Sequence, residues 1–189
     1  MSTFLSTEKW QSVTVRTSER VAEIGWFDDI IGGDTEFLGV LDERRRSSYE
    51  HCRNIALQAD ALGFDNMLLP TAYTVGQEAL TFTASIAPFV RRIQLLTAIR
   101  TGEIHPPSLA RSLANIDHIL KGRFAINIIN SDQPGLREDP AIRYQRCHEI
   151  IEILRQGWTR DRIQYDGTLY RFNLPADPVK PYQQNGGPL

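Results

Sequence analysis

The stretch IQLLTAIRTGEIHPPSLARSLANIDHILKGRFAINII, residues 93–129, contains the pattern that decides the fold. It begins and ends with short apolar runs, 93–99 and 124–129, which lack the regular apolar–polar alternation of a half-exposed strand. Runs of this kind are typical of parallel strands buried on both faces. Residues 107–120, between them, have apolar side chains at helical spacing, with two prolines at the start and a glycine after the end. The stretch therefore predicts a strand, a helix and a second strand parallel to the first.

The same alternation continues on both sides of this stretch. The strands and helices predicted there are 21–27, 44–62, 66–69, 78–90 and 141–160. Four strands that alternate with helices through right-handed crossovers predict an α/β fold with a parallel sheet. Residues 162–172 then predict a small hairpin that turns at Asp166-Gly167. The tail 173–189 is rich in Pro, Gly, Gln and Asn and predicts a loop.

Two architectures are compatible with four such units. A complete (β/α)8 TIM barrel takes about 200 residues or more, and the chain has 189. The first alternative is therefore a half barrel, in which only the first four β/α units of the (β/α)8 TIM-barrel type are present. The second is an open, doubly wound sheet. Periodicity alone does not give the order of the strands, so the residues by themselves leave both open.

Composition and charge argue against several classes of protein. Apolar residues make up 41% and charged residues 23% of the chain, as in a soluble globular protein. The net charge of −2 argues against a nucleic-acid or anionic-membrane partner. No apolar stretch approaches the roughly 20 residues that span a bilayer. Residues 1–19 are rich in Ser and Thr and lack an apolar segment, so they predict a polar arm rather than a targeting signal. We therefore expect a cytoplasmic protein with its folded domain at 20–189.

The two cysteines, Cys52 and Cys147, are far apart, and each stands beside a histidine on a predicted helix. A structural zinc site needs paired ligands at short spacing, whereas adjacent residues on a helix point in different directions. We therefore predict reduced thiols and no metal site.

Candidate ligand-binding residues follow the predicted strands, because ligands of parallel α/β sheets bind at the carboxyl ends of the strands. Thr71 and Ala72 follow the second strand and Ser131 follows the fourth, and such small side chains allow a flat ring to approach the backbone. Asn127, within the fourth strand, offers both a donor and an acceptor to a ring edge. An alternative for Asn127 is a buried amide with only a structural role.

The start of the fourth helix is a candidate phosphate site. Its free N–H groups and its dipole favour an anion, and both Arg143 and Tyr144 in the first turns can donate to phosphate. Asp139, the expected N-cap, would repel a phosphate. The alternative is that Arg143 pairs with Glu138 or Asp139 and that Tyr144 packs against the protein. No residue in these loops has a partner that would mark it as a catalytic acid or base.

Several short motifs, taken in order, resemble the bacterial luciferase-like flavin monooxygenases, and most of all their alkanesulfonate monooxygenase branch. The motifs are GWF (25–27), GDTEFLG (33–39), ADALGFD (59–65), LLPT (68–71), IQLLTAIR (93–100), PSLAR (107–111), GRFAIN (122–127) and RY (143–144). Each is weak alone, but their common order from about residue 22 to the end is specific. The resemblance implies a β/α barrel of which this chain is the N-terminal half, with FMN at the carboxyl ends of the strands.

The resemblance also implies an activity and a set of cofactor-binding residues. By match, these are Thr71, Ala72, Asn127, Ser131, Arg143 and Tyr144. The implied enzyme takes reduced FMN (FMNH2) from a separate NAD(P)H-dependent flavin reductase and uses O2 to oxidise a small organic substrate, for example an organosulfonate. A complete barrel of this family is expected to be a homo-oligomer. The chemistry belongs to the cofactor, while the protein orients it and excludes water.

Two departures from the alkanesulfonate branch leave the substrate open. That branch has a histidine after the first strand, where this chain has Ile31-Gly32, and a cysteine after the second, where it has Val75-Gly76. The substrate residues of the family also come mainly from the second half of the barrel. A second hypothesis is therefore a catalytically inactive half barrel that binds flavin or pairs with another subunit.

Overall fold

The computed structural model describes residues 23–27, 30, 47–73, 76–184 and 186–189. In chain order the elements of this part are β1 (Gly25–Phe27), α1 (Tyr49–Leu62), β2 (Asn66–Leu69), α2 (Ala79–Ile86), β3 (Gln94–Arg100), α3 (Pro106–Leu120), β4 (Phe124–Ile129), α4 (Pro140–Thr159), β5 (Arg162–Asp166) and β6 (Arg171–Pro175). The predicted arm 1–19, and the predicted strand and helix residues 21–22 and 44–46, lie outside the described residues. None of the helices in the described ranges is long and apolar enough to cross a membrane.

The first four strands form one parallel sheet in the order β1-β2-β3-β4, and each strand pairs with the next one along the chain. Strands of a β/α barrel follow one another in sequence around the sheet. A doubly wound sheet instead reverses its order at a switch point. The observed order therefore confirms the predicted barrel type and argues against the doubly wound alternative for the described strands.

Local signals explain where the helices begin and end. Ser48 caps α1 by accepting the N–H of His51 at 3.3 Å, and Gly63 ends it in the left-handed region at φ 89°. The helix predicted at 78–90 ends at Ile86 instead. Pro88 is the reason, because it has no N–H with which to continue the helical hydrogen bonds.

The sheet has two unlike faces. Leu95 and Phe124, neighbours in register, are fully buried among the core residues beneath the helices. The next pair, Leu96 and Ala125, alternates to the opposite face and is only half-buried. Asn127 lies in register beside Ala98 on this second face, so the strand alternation directs its side chain away from the helices.

The predicted hairpin and loop after α4 are both tied to the main body. The strands β5 and β6 form the antiparallel hairpin, with Asp166 beside Arg171 next to the turn. Along the tail, Gln183 donates from its backbone N–H and its Nε2 to the buried Asp117 carboxylate, at 2.8 Å each. Further on, the N–H of Ile126 in β4 donates to the carbonyl of Pro188 at 2.9 Å. The tail thus lies along the outer edge of β4.

Candidate active site

A cleft of about 520 Å³ opens at the carboxyl ends of β2, β3 and β4, and we call it the strand-tip cleft. The described residues that line it are Thr71, Ala72, Tyr73, Gly76, Glu78, Arg100, Gly102, Glu103, Gln133 and Pro134. One wall follows β2 and includes Thr71 and Ala72, two of the predicted residues. The other walls follow β3 and β4. The cleft therefore occupies the edge of the sheet at which the sequence predicted ligand binding.

Arg100, the last residue of β3, supplies a fixed guanidinium to this cleft. Its side chain is 12% exposed, and its Nη1 donates to Glu103 Oε1 at 2.6 Å. Its Nε donates to Ser131 Oγ at 2.9 Å, which brings this predicted residue to the boundary of the cleft. Arg100 was not among the residues that the sequence predicted to bind a ligand. The sequence signal that could have identified it is a charged residue at the end of an otherwise apolar strand.

Gly102, two residues further on, allows the loops after β3 and β4 to meet. It has a φ of +100°, a left-handed conformation that favours glycine. A Cβ at this position would collide with Gln133 Nε2 and would lie 2.7 Å from Arg146 Cδ. Gln133 in turn donates to the carbonyl of Thr101 at 3.4 Å. The close approach of two side chains to one glycine therefore joins two walls of the cleft.

Arg143 forms an ion pair in the loop before α4. Its Nη1 donates to Asp132 Oδ1 at 2.5 Å, and the N–H of Glu138 donates to the same oxygen at 3.3 Å. The hydrogen bond from Glu138 and that from Arg143 together hold the pKa of Asp132 below its usual value. Arg143 therefore pairs with Asp132 and not with Glu138 or Asp139, the partners expected from the sequence. Asp132 is distant in the chain from Arg143, and the loop fold brings them together.

The start of α4 is capped by the protein itself. The Asp139 carboxylate accepts the N–H of Ala141 at 2.8 Å, as its expected role as N-cap implies. Tyr144, in the first turns of this helix, is 69% exposed. Asn127, Arg143 and Tyr144 are not among the described residues that line the strand-tip cleft. Their roles toward a cofactor therefore stay predictions.

The residues after β4 contain polar atoms that lack partners. Both amide atoms of Asn130 and the Nε of Arg143 are buried, and no hydrogen-bond partner for them exists among the described residues. Buried polar groups are nearly always hydrogen-bonded, so such atoms indicate a place where a further group or a conformational change supplies the partner. Asn130 was not among the residues that the sequence predicted to bind a ligand. Its lack of a partner depends on tertiary packing.

Two curated relatives align with most of this chain but are about twice as long. The sulfoquinovose monooxygenase of Agrobacterium fabrum is 52% identical over 169 residues, which are 89% of this chain and 44% of that protein. The sulfoquinovose monooxygenase of Novosphingobium aromaticivorans is 44% identical over 170 residues, which are 86% of this chain and 46% of that protein. The chain therefore spans about half the length of the curated relatives it matches. Both relatives are named for sulfoquinovose rather than for an alkanesulfonate.

A solved structure confirms the fold independently. The oxygenating constituent of 3,6-diketocamphane monooxygenase from Pseudomonas putida, solved in complex with FMN, superposes with a TM-score of 0.68 at 19% identity. The match covers 87% of this chain and 49% of that one. The family model for luciferase-like monooxygenases matches residues 35–188, and this range contains the four helices and the second to fourth strands of the sheet. This chain belongs to the luciferase-like monooxygenase family, as the ordered motifs predicted.

Proposed function

We propose that this chain provides the flavin-binding strand ends of a monooxygenase that uses FMNH2 and O2 to oxidise a sulfonated sugar of the sulfoquinovose type. The observation that carries the proposal is the strand-tip cleft, found in a chain that is 52% identical to a sulfoquinovose monooxygenase. In this proposal a separate NAD(P)H-dependent reductase supplies the reduced flavin, and the substrate is a small molecule. The alkanesulfonate substrate suggested by the motifs is replaced by the sugar for which the relatives are named.

The charge of the cleft supports a neutral ring as its ligand. Arg100 is already neutralised by Glu103 at 2.6 Å. The Glu78 carboxylate accepts the N–H groups of Leu80 and Thr81 at the start of α2, at 3.0 and 2.7 Å. The described lining thus offers no unpaired cation to a sulfonate group. A flat, uncharged ring system fits this lining better than an anion does.

The shape of the cleft agrees with the same ligand. Ala72 and Gly76 have little or no side chain, so a planar ring can lie close to the backbone at two places in the lining. A bound reduced flavin would supply the two electrons that activate O2, and the protein would orient the flavin and exclude water. Thr71 and Ala72 would bound the ring, and Ser131 would hold Arg100 beside it.

The predicted residues outside the lining have separate roles in this proposal. Asn127 lies on the sheet face away from the helices and would meet the ligand from below the cleft. Arg143 and Tyr144 would contact the phosphate of FMN. Because Asp132 now holds Arg143 at 2.5 Å, this contact requires the phosphate to compete with that carboxylate.

Titration of FMN with the purified chain tests the proposal through quenching of the flavin fluorescence. We expect saturable binding by the wild type. Ala72→Leu, which adds bulk to the lining, should weaken binding by about tenfold, equivalent to about 1.4 kcal/mol. Ala61→Leu, at an exposed position of α1, is the matched control and should bind FMN as the wild type does. A folded wild-type chain that does not bind FMN would overturn the proposal.

A second candidate is the non-catalytic subunit-pairing module. Phe27, which lies in register beside Leu68, is 60% exposed, and Leu96 and Ala125 on the second sheet face are only half-buried. Apolar side chains in such a position are usually covered by other protein. Light scattering together with the FMN titration separates the candidates, because a non-catalytic pairing module should be a dimer that does not bind FMN.

A further inference from the structure

Arg146, in the second turn of α4, holds the loop that precedes this helix. Both terminal nitrogens of its guanidinium donate to the two carboxylate oxygens of Glu138. The side chains are 12% and 10% exposed, so the pair is largely removed from solvent. Glu138 also donates its N–H to Asp132 in the residues after β4. The ion pair therefore fixes the wall of the strand-tip cleft that follows β4.

The same side chain supports the wall that follows β3. The Cδ of Arg146 lies so close to Gly102 that an added Cβ would be 2.7 Å away from it. Gly102 lines the strand-tip cleft, and Gln133 lies beside Arg146 at the position that a Cβ of Gly102 would take. One arginine thus contacts the loop after β3 through its stem and the loop after β4 through its guanidinium.

The hairpin is bonded to the same part of α4. The backbone N–H of Tyr170 donates to Glu149, one turn further along α4, at 2.9 Å. The hairpin is therefore tied to α4 one turn beyond Arg146.

A contribution to the free energy of unfolding is a poor explanation for the buried Arg146–Glu138 pair. Burying two charges costs about as much as their attraction returns, and apolar replacements of similar volume are often neutral or stabilising. Two-point geometry, in contrast, is a property that an arginine–carboxylate pair provides and that lysine does not reproduce. The contacts of Arg146 are at the two loops that form the cleft, where fixed geometry has a consequence for a ligand.

We propose that Arg146 is a positioning residue, which sets the separation between the two loop walls of the strand-tip cleft to suit a flat flavin ring. The inference rests on the proposed function, since it takes FMN as the ligand. Arg146 itself acts through Gly102 and Glu138 and does not line the described cleft.

Three variants test the proposal. Arg146→Lys keeps the charge but loses the second hydrogen bond. The double variant Arg146→Met with Glu138→Leu removes both charges together, so that neither is left buried alone. Arg155→Met is the matched control, because Arg155 pairs with Glu152 at 3.0 Å on the exposed surface of the same helix. For each variant we would measure the FMN dissociation constant, the visible circular dichroism of bound FMN and the midpoint of thermal unfolding.

We expect the double variant to unfold near the wild-type temperature while it binds FMN about tenfold more weakly, a difference of about 1.4 kcal/mol. The circular dichroism of its bound flavin should change, because the ring is held differently. Arg146→Lys should show the same changes to a smaller extent, and Arg155→Met should show none.

The outcomes separate the two proposals. Wild-type affinity and wild-type flavin circular dichroism in both Arg146 variants would overturn the positioning role while leaving FMN binding intact. A double variant that fails to fold leaves the decision to Arg146→Lys, whose unchanged spectrum would also overturn it. A wild-type chain that binds no FMN would overturn the proposed function, and this inference with it.

Discussion

Glu149, fully buried on α4, accepts the backbone N–H of Tyr170 in the hairpin at 2.9 Å. The same carboxylate accepts the N–H groups of Thr168 and Leu169 and the side-chain amide of Gln145. The Glu149 carboxylate therefore accepts the backbone N–H groups of the hairpin turn, which have no partner on a neighbouring strand. Asp60 does the same for the loop before β3, with the N–H groups of three successive residues as donors.

The first prediction concerns pH. Burial raises the pKa of Glu149. Hydrogen bonds from Gln145 and from the three backbone N–H groups lower this pKa by more than burial raises it, so the pKa lies below its usual value. The charged form thus stabilises the fold above the unfolded-state pKa of about 4.3. This contribution is lost as pH falls through the lower pKa of the folded state. Urea unfolding of the wild type should show a loss of stability in that acid range.

Glu149→Gln supplies the comparison. The amide keeps one acceptor but points an N–H2 group at the hairpin donors, so it should cost about 1–3 kcal/mol at neutral pH. The difference between variant and wild type should shrink as the pH falls below about 4. Glu152→Gln, at a partly exposed position of the same helix, is the control. A difference that stays constant with pH would contradict the assignment.

A second prediction concerns two buried hydroxyls between α2 and β3. Thr83 Oγ1 donates to the carbonyl of Ala79 at 2.7 Å and lies 2.7 Å from Thr97 Oγ1. A hydroxyl has one hydrogen, so Thr97 must be the donor within the pair. Thr83→Val would leave that donor buried without an acceptor and should cost about 1–3 kcal/mol, whereas Thr97→Val should cost about 1 kcal/mol.

The double variant Thr83→Val with Thr97→Val closes a mutant cycle. Replacing both partners by apolar groups of the same shape should bring the free energy of unfolding back toward the wild-type value. Urea denaturation of the four proteins measures the coupling. Additive losses in the double variant would show that the two hydroxyls do not depend on each other.

The elements of the fold were predictable because their signals are local. Prolines begin α3, and Asp139 with Pro140 begins α4, as the sequence indicates, whereas the left-handed residue that ends α3 is Lys121, one position before Gly122. The strand order was not predictable from periodicity, which carries no information on which strands pair, and only the family resemblance implied it. The end of α2 was predicted too late, although Pro88 was visible, because the apolar pattern continues beyond it.

The site was predictable only in part, because most of its contacts join separate loops. Thr71 and Ala72 line the cleft as residues that directly follow a strand. The partner of Arg143 was predicted wrongly, since Asp132 lies eleven positions before it and is brought near by the loop. Gly102 and Arg146 had no sequence signal of their own, because their roles arise from the contact between them in the folded chain.

A third prediction concerns the unpaired amide of Asn130. Both its polar atoms are buried without a partner among the described residues. Asn130→Leu removes the unpaired groups at nearly constant shape, so it should raise the free energy of unfolding by about 1 kcal/mol in the ligand-free chain. Asn115→Leu, exposed on α3, is the control and should stay within about 0.5 kcal/mol of the wild type. A clear loss of stability in Asn130→Leu would show that water or another group satisfies this amide.

The fourth prediction compares two glycines with the same left-handed backbone. Gly63 has a φ of +89° and Gly102 has a φ of +100°, so alanine is strained at both and should cost about 1–2 kcal/mol of stability at each. Their surroundings differ, however. A Cβ at Gly63 would have ordinary contacts, with Arg92 at 3.8 Å, whereas one at Gly102 would displace Gln133 and Arg146.

We therefore expect Gly63→Ala to lose stability and to keep wild-type affinity for FMN. Gly102→Ala should lose a further 1 kcal/mol or so through crowding, and it should weaken FMN binding by about tenfold because both loop walls of the strand-tip cleft must move. Fluorescence titration and urea unfolding measure the two effects on the same samples. Equal affinities in the two variants would mean that the separation of these loops does not control the ligand, and that Gly102 is needed only for its backbone conformation.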